Sequence, residues 1–401
     1  MKPIQNTMQA KVSLLVVLSA LMAFTSLSTD IYLPAMPVMQ VDLQGNAELT
    51  VTGFLIGFAV AQLIWGPISD QIGRKKPLFI GMVLFVIGSI GCALSQTIDQ
   101  IVFWRVFQAL GACTGPMLAR AMVRDLYTRV EAVQMLSTLT LIMAIAPILG
   151  PLLGGQILKV TSWHAVFWLL AVIGMVMFVC LFLLPETHHN IEKNKKGLQI
   201  KQAFLNYASL LKNWQFMRYV LSLTAFYVAA YAFIIGSPLV YISYYHIDPQ
   251  HYGWLFGINI IGLMITSIVN KKLVQHISLH KLLKWATSIS MVAMLILVVL
   301  YFSEQMSLFG LILFLFLFFA MNGIIAATST ATALDIVPKT AGSASALIGS
   351  MQYGSGIISS LLLTFGKTNS PETMIVIMAV FATISAMIAL LPHREINIAS
   401  R

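Results

Sequence analysis

A carboxylate and a guanidinium stand alone within long apolar stretches of this chain: Asp30 and Arg105. An ionisable group in hydrocarbon is costly and is a functional candidate by default. Burial disfavours the charged form of a carboxylate, so a group placed like Asp30 can exchange protons near neutral pH. An approaching cation favours the charged form. The chemistry on offer at Asp30 is therefore exchange: a proton or a cationic molecule, but not both. The alternative is a structural aspartate held in a permanent pair or by backbone donors. Arg105 does not lose its proton. It is expected to bias Asp30, or to organise hydrogen bonds with Gln108 and Gln62. The plainer alternative is an arginine tying its helix to neighbouring carbonyls. Helical rise puts both groups roughly 10 Å inside the same face of a membrane, so they could sense each other across a cavity.

Elements that could hold such groups follow from composition. The chain has 401 residues, of which 58% are hydrophobic and 9% charged. About 25% charged is usual for a soluble domain, so most of this surface must face lipid. A spanning helix needs about 20 mostly apolar residues, and twelve such stretches fit. The fourth is read over 99–123 and the fifth over 131–157. The expected fold is an all-α membrane protein of twelve transmembrane helices in two pseudo-symmetric six-helix bundles, residues 1–184 and 216–401. Residues 185–215 form a polar linker between them, with Glu186, His188, His189, Lys193 and Lys195. Its portion near 200–212 could lie on the membrane as an amphipathic helix. A faint repeat relates the halves. Gly53-Phe54-Leu55-Ile56-Gly57 is matched 200 positions later by Gly253-Trp254-Leu255-Phe256-Gly257, and Asp70 by Asn270. Related halves place a site between them.

Net charge is +10. Of the 24 Lys and Arg, all but Lys159, Lys367 and Arg105 fall in the termini and the alternate loops on their side. That asymmetry puts both termini in the cytoplasm. The basic excess is thus topology, which argues against nucleic acid as a partner and for the lipid bilayer. Cys92, Cys113 and Cys180 all lie in spans, with no metal-ligand or disulfide spacing. The first apolar run is too long for a cleavable leader and continues through Asp30 and two prolines. No nucleophile elbow, phosphate loop or ligand cluster appears, so neither an enzyme nor a cofactor is expected.

Other segments suggest motion. Pro34 and Pro37 follow Asp30, and proline removes a backbone donor and kinks a helix. The fifth span carries Pro147, Gly150, Pro151, Gly154 and Gly155, where small residues permit close helix approach. After the second span, Gly66 and Gly73 permit a tight turn. Asp70, Arg74, Arg124, Asp125 and Glu131 share one side of the membrane and could form a charge cluster that latches it in one state. The seventh span is aromatic and interrupted at Gly236-Ser237-Pro238. Tyr227 and Tyr231 are four apart on one face and suit a broad pocket for apolar or cationic molecules. The expected cavity lining is Asp30, Tyr32, Gln62, Gln108, Tyr227, Tyr231 and Asn259.

These motifs resemble a known family. Gly66-Pro67-Ile68-Ser69-Asp70-Gln71-Ile72-Gly73-Arg74-Lys75-Lys76-Pro77-Leu78 resembles the signature loop of the major facilitator superfamily. Arg105-Val106-Phe107-Gln108-Ala109-Leu110-Gly111 resembles the fourth-helix motif of its drug:proton antiporters, and Gly150 to Gly155 their fifth-helix motif, although Ala146 replaces the usual leading glycine. Thr29-Asp30-Ile31-Tyr32-Leu33-Pro34-Ala35-Met36-Pro37 resembles the Bcr/CflA subfamily of bicyclomycin and chloramphenicol exporters. The resemblance implies a monomeric, proton-driven exporter of small drugs in the bacterial inner membrane. It implies that Asp30 responds to protons and substrate, that Arg105 supports coupling, and that Asp70, Arg74 and Glu131 gate the cytoplasmic side. The same fold moving a nucleoside, sugar or amino-acid derivative remains the alternative. Two departures stand out: Asn270-Lys271-Lys272 erodes the second copy of the loop motif, and Met22 stands where some related exporters carry a second acid.

Overall fold

The computed structural model of the protein describes residues 8–187, 196–366 and 370–391, and every regular element among them is helical. Twelve segments are long and apolar enough to cross a membrane. The first half contains α1 (Met8–Asp30), α2 (Met36–Asp42), α3 (Glu48–Ile72), α4 (Lys75–Ala93), α5 (Ile98–Ala112), α6 (Thr114–Leu126), α7 (Arg129–Val160) and α8 (His164–Cys180). The second contains α10 (Trp214–Pro238), α11 (Pro249–Leu273), α12 (Leu279–Phe302), α13 (Leu308–Ile336), α14 (Ala341–Thr364) and α15 (Glu372–Leu390).

Two expected boundaries change. The fourth span is not one helix over 99–123. It is α5 and α6, meeting at a turn around Cys113 and reaching Leu126. The fifth is longer than 131–157: Thr128 and Glu131 cap it reciprocally and α7 runs from Arg129 to Val160, because a satisfied amino terminus extends a helix past its apolar core.

The first span of each half is interrupted at proline. α1 ends at Asp30, a 3-10 turn follows over Leu33–Ala35, and α2 resumes at Met36. Pro34 has no N–H to offer the Asp30 carbonyl one turn back. In the second half α10 ends at Pro238 and gives way to one wider π turn, Leu239–Tyr244. The two broken segments, first in their respective halves, pack against each other.

Elsewhere the halves meet along two antiparallel seams, α3 with α14 and α7 with α11. Both use glycine. A Cβ added at Gly349 would meet the Gln62 side chain, at Gly354 the Ala59 methyl, and at Gly356 both Leu55 and Tyr231. In the other seam, Gly155 lies against the Pro249 carbonyl, Gly253 against Leu152, and Gly257 against Ile148. The opposite edge of α7 seats the broken span: a Cβ at Gly150 would come within 3.2 Å of the Asp30 Cβ, and one at Gly154 would collide with the Ile31 carbonyl. Pro147 and Pro151, four apart, delete two successive backbone hydrogen bonds on one face of this helix.

Part of the segment expected as a solvated linker is α9 (Lys196–Lys212). His188, His189, Lys193 and Lys195 lie outside the described residues. Ala203, Tyr207 and Leu210 are its buried edge. The Tyr207 hydroxyl donates to the Leu63 carbonyl of α3 at 3.1 Å, and Asn206 Nδ2 to Ser343 Oγ of α14 at 3.4 Å. The helix thus straddles the α3–α14 seam at its end nearest the basic loops.

Gly154→Val should force α7 away from Ile31, at a cost of about 1–3 kcal/mol for overpacking. A lowered thermal midpoint in detergent checks this, with Gly66→Ala, which meets nothing within 4 Å, as the tolerated control.

Candidate functional site

Arg105 is fully buried in α5. Its guanidinium lies 4.3 Å from the Tyr32 ring centroid and 4.5 Å from that of Phe54. Such aromatic faces attract a cation. One Nη donates to the Ser28 carbonyl at 3.1 Å and to Gln108 Oε1 at 2.6 Å, and Nε reaches the Thr50 carbonyl at 3.4 Å. Gln108 Nε2 passes the network on to Ser89 Oγ at 2.8 Å. One side chain therefore joins α1, α3, α4 and α5. The Gln108 contact matches expectation. Gln62 is not in this network; it lies in the α3–α14 seam beside Gly349.

Asp30 is the last residue of α1, 7% exposed, and makes no ion pair among the described residues. The Thr29 hydroxyl sits beside it and Arg105 acts on it electrostatically without reaching it. Arg105 instead grips the backbone two residues earlier. From the second half, Tyr231, Tyr252 and Tyr353 all lie within electrostatic reach of the carboxylate. Asp30 thus belongs to the first half by chain and faces phenols of the second.

Those phenols form a connected aromatic group. Tyr227 and Tyr231 lie 6.3 Å apart, Tyr231 and Tyr353 6.4 Å, and Tyr353 packs 4.0 Å from Phe58 of α3. The Tyr227 hydroxyl meets Asn322 of α13. Tyr252 bonds Ser237 at 2.8 Å, beside the π turn. Tyr353, Tyr252 and Asn322 were not singled out from sequence. Tyr32, expected to line the cavity, is instead fully buried inside the first half, bonded to Thr50 Oγ1 at 3.1 Å; the turn after Asp30 rotates it inward, under Arg105. Asn259 is buried in α11, with Nδ2 on the Leu255 carbonyl and Oδ1 unpartnered.

At the end nearest the basic loops, Arg74 gathers a cluster. Its Nη1 bonds Asp70 Oδ1 at 2.5 Å and Ser69 Oγ at 2.8 Å, and Nε bonds Asp125 Oδ2 at 2.9 Å. Glu186, just past α8, accepts from the backbone amides of Arg74 and Lys75 at 2.9 and 3.0 Å. Gly73 turns the chain here with φ of 91°, and a side chain on it would strike the Glu186 carboxylate. The membership differs from expectation. Glu131 caps α7 through Thr128, and Arg124 makes no ion pair among the described residues. The contacts of Arg74 and Glu186 join the ends of α3, α4, α6 and the segment just past α8, and so stiffen the first bundle.

The profile of the Major Facilitator Superfamily matches residues 18–360. The chain belongs to this superfamily. An uncharacterized MFS-type transporter, YdgK of Bacillus subtilis, is 32% identical over 95% of both chains. A bicyclomycin resistance protein homolog of Haemophilus influenzae is 26% identical, covering 89% of this chain and 90% of its own. Multidrug resistance protein D of Escherichia coli is 27% identical, covering 90% and 91%. The xylose transporter XylE of Escherichia coli, solved in a partially occluded inward-open conformation, superposes with a TM-score of 0.72 over 95% of this chain and 99% of its own, at 14% identity. That likeness is one of fold. The protein is thus a multi-pass membrane protein of this transporter superfamily.

Arg105→Lys keeps the charge but loses the planar fork that reaches three acceptors. It should cost roughly 2–3 kcal/mol, as buried acceptors go unpaired. Thermal unfolding in detergent measures the loss, and Arg105→Ala should lose at least as much.

Proposed function

We propose that the protein exports small, mostly apolar or cationic drugs of the bicyclomycin or chloramphenicol type, in exchange for protons, across the bacterial inner membrane. The observation that carries this reading is the placement of Asp30: a lone acid at the break of the first span, without an ion pair, facing phenols of the opposite half. A group so placed changes surroundings whenever the halves move. Two relatives named for drug resistance support export over uptake.

The basic loops orient the chain with both termini in the cytoplasm, and it works as a monomer. The halves rock about the two glycine-lined seams, exposing Asp30 to each side in turn. Protons arriving from outside neutralise Asp30. A substrate entering from the cytoplasm or inner leaflet stacks on Tyr227, Tyr231 and Tyr353 and favours loss of that proton. Arg105 acts through position: it holds the Ser28 carbonyl, and with it the end of α1. The Arg74 cluster keeps the first bundle rigid while it moves. No cofactor enters; the gradient drives the cycle.

Asp30→Asn tests the assignment. In inverted vesicles from a host lacking its own pumps, the variant should lose drug-dependent proton flux while purified protein still binds drug. Undiminished proton flux would remove Asp30 from the mechanism. A growth screen of the same host separates drugs from metabolites, because an exporter of drugs raises resistance.

A further inference from the structure

Away from Asp30, the described residues hold a second buried carboxylate between the halves. Glu48 opens α3 at the end opposite the basic loops and is only 4% exposed. Its backbone amide lies beside its own carboxylate, while Oε2 has no hydrogen-bond partner among the described residues. The surroundings are a contact between halves. Ser360 Oγ of α14 donates to the Glu48 carbonyl at 3.0 Å and is hydrogen-bonded to Thr52 Oγ1.

Among the described residues, no charged side chain pairs with Glu48; Lys367, past the end of α14, lies outside them. From α14 it meets Ser360, a hydroxyl, and from its own helix Thr52. The nearest acids by chain and packing are Asp42, held by the Trp163 indole at 3.0 Å, and Asp99, exposed at the start of α5. No other charged side chain among the described residues acts on Glu48. The amino terminus of α3 favours the anion somewhat. A buried oxygen without a donor costs more than that effect returns when it carries charge, and far less when the acid is neutral.

We propose that Glu48 is a second proton-binding site, which takes up a proton from the outer side as the α3–α14 seam closes there. The closed seam selects the neutral acid. Parting α3 from α14 breaks the Ser360 contacts, admits water to Oε2 and releases the proton to the outside. External acid therefore favours the closed outer seam. This rests on the proton-driven reading above, but it concerns the gate rather than the substrate exchange at Asp30.

The test uses the full-length protein in oriented proteoliposomes, with Cys92, Cys113 and Cys180 replaced. Spin labels at the exposed outer positions Gln96→Cys and Gln305→Cys report the separation of the halves. With one linked proton, the ratio of closed to open outer seam changes by up to about tenfold per pH unit. The unsubstituted background should shift toward the short distance in external acid. Glu48→Gln, a neutral isostere, should hold the short distance at every external pH while still binding drug. Glu48→Asp, which keeps a titratable group, should recover the shift. Asp30→Asn should keep it, because the outer gate still carries its acid. A background distribution indifferent to external pH overturns the proposal. So does a full shift in Glu48→Gln, or a shift that vanishes with Asp30→Asn alone.

Discussion

A guanidinium buried among apolar helices must be given acceptors, and the first bundle is arranged around that demand. Arg105 collects them from two carbonyls and one amide, on α1, α3 and its own helix. The Ser28 carbonyl lies in the last turn of α1, just before the break that follows Asp30. The arginine therefore stabilises the site where the helix stops as well as its own position. Tyr32 and Phe54 cover the charge, so the hub is closed to substrate and solvent. What remains open to chemistry is the residue beside it. Asp30 keeps its carboxylate outside the hydrogen-bond network, although it is covalently two residues from a carbonyl inside that network.

Conformational freedom is distributed in a similar way. Rigid parts are crosslinked within one half: the Arg105 hub in the middle, and the Arg74 cluster with Glu186 at the end nearest the basic loops. Contacts between halves among the described residues are made mostly by glycines, hydroxyls and rings, with no ion pair to break. Breaking an ion pair inside a membrane is expensive, whereas parting a glycine from a carbonyl forfeits mainly dispersion. A body meant to rock is best held together by ions inside each rigid unit and by soft contacts at the seams.

Much of this was legible in the chain because lipid makes charge conspicuous. Asp30 and Arg105 stood out against apolar neighbours, and the prolines after Asp30 announced the break. The glycines of α7 were legible as close-packing residues, though not which face met α1 and which met α11. Where a charge sits in a polar segment, that contrast disappears. Glu186 looked like one more linker residue, and Glu48, in the polar stretch before the second span, was not singled out at all. Tyr32 was misplaced because a helical face cannot be projected through a broken turn. Glu131 carried its own signal, Thr128 with an acid three residues on, which explains its capping role better than shared sidedness with Arg74. Tyr353 came from a span that no motif marked, Tyr252 stood one residue before the repeat at Gly253, and only the packing of the halves brings them to Asp30.

The α3–α14 seam also bears on insulation. Its contacts run in register along both helices, from Glu48 with Ser360 through Leu55 with Gly356 to Gln62 with Gly349. Two stiff rods touching over such a length can tilt about the middle, where Ala59 faces Gly354, but spreading one end presses the other together. An ion crossing a membrane at 100 mV gains about 2.3 kcal/mol, so even a brief continuous water path would drain the gradient. A seam that pivots on its centre has no geometry in which both ends stand apart. On the proposed rocking cycle, electrical tightness then comes from one long seam turning on its centre and needs no separate plug.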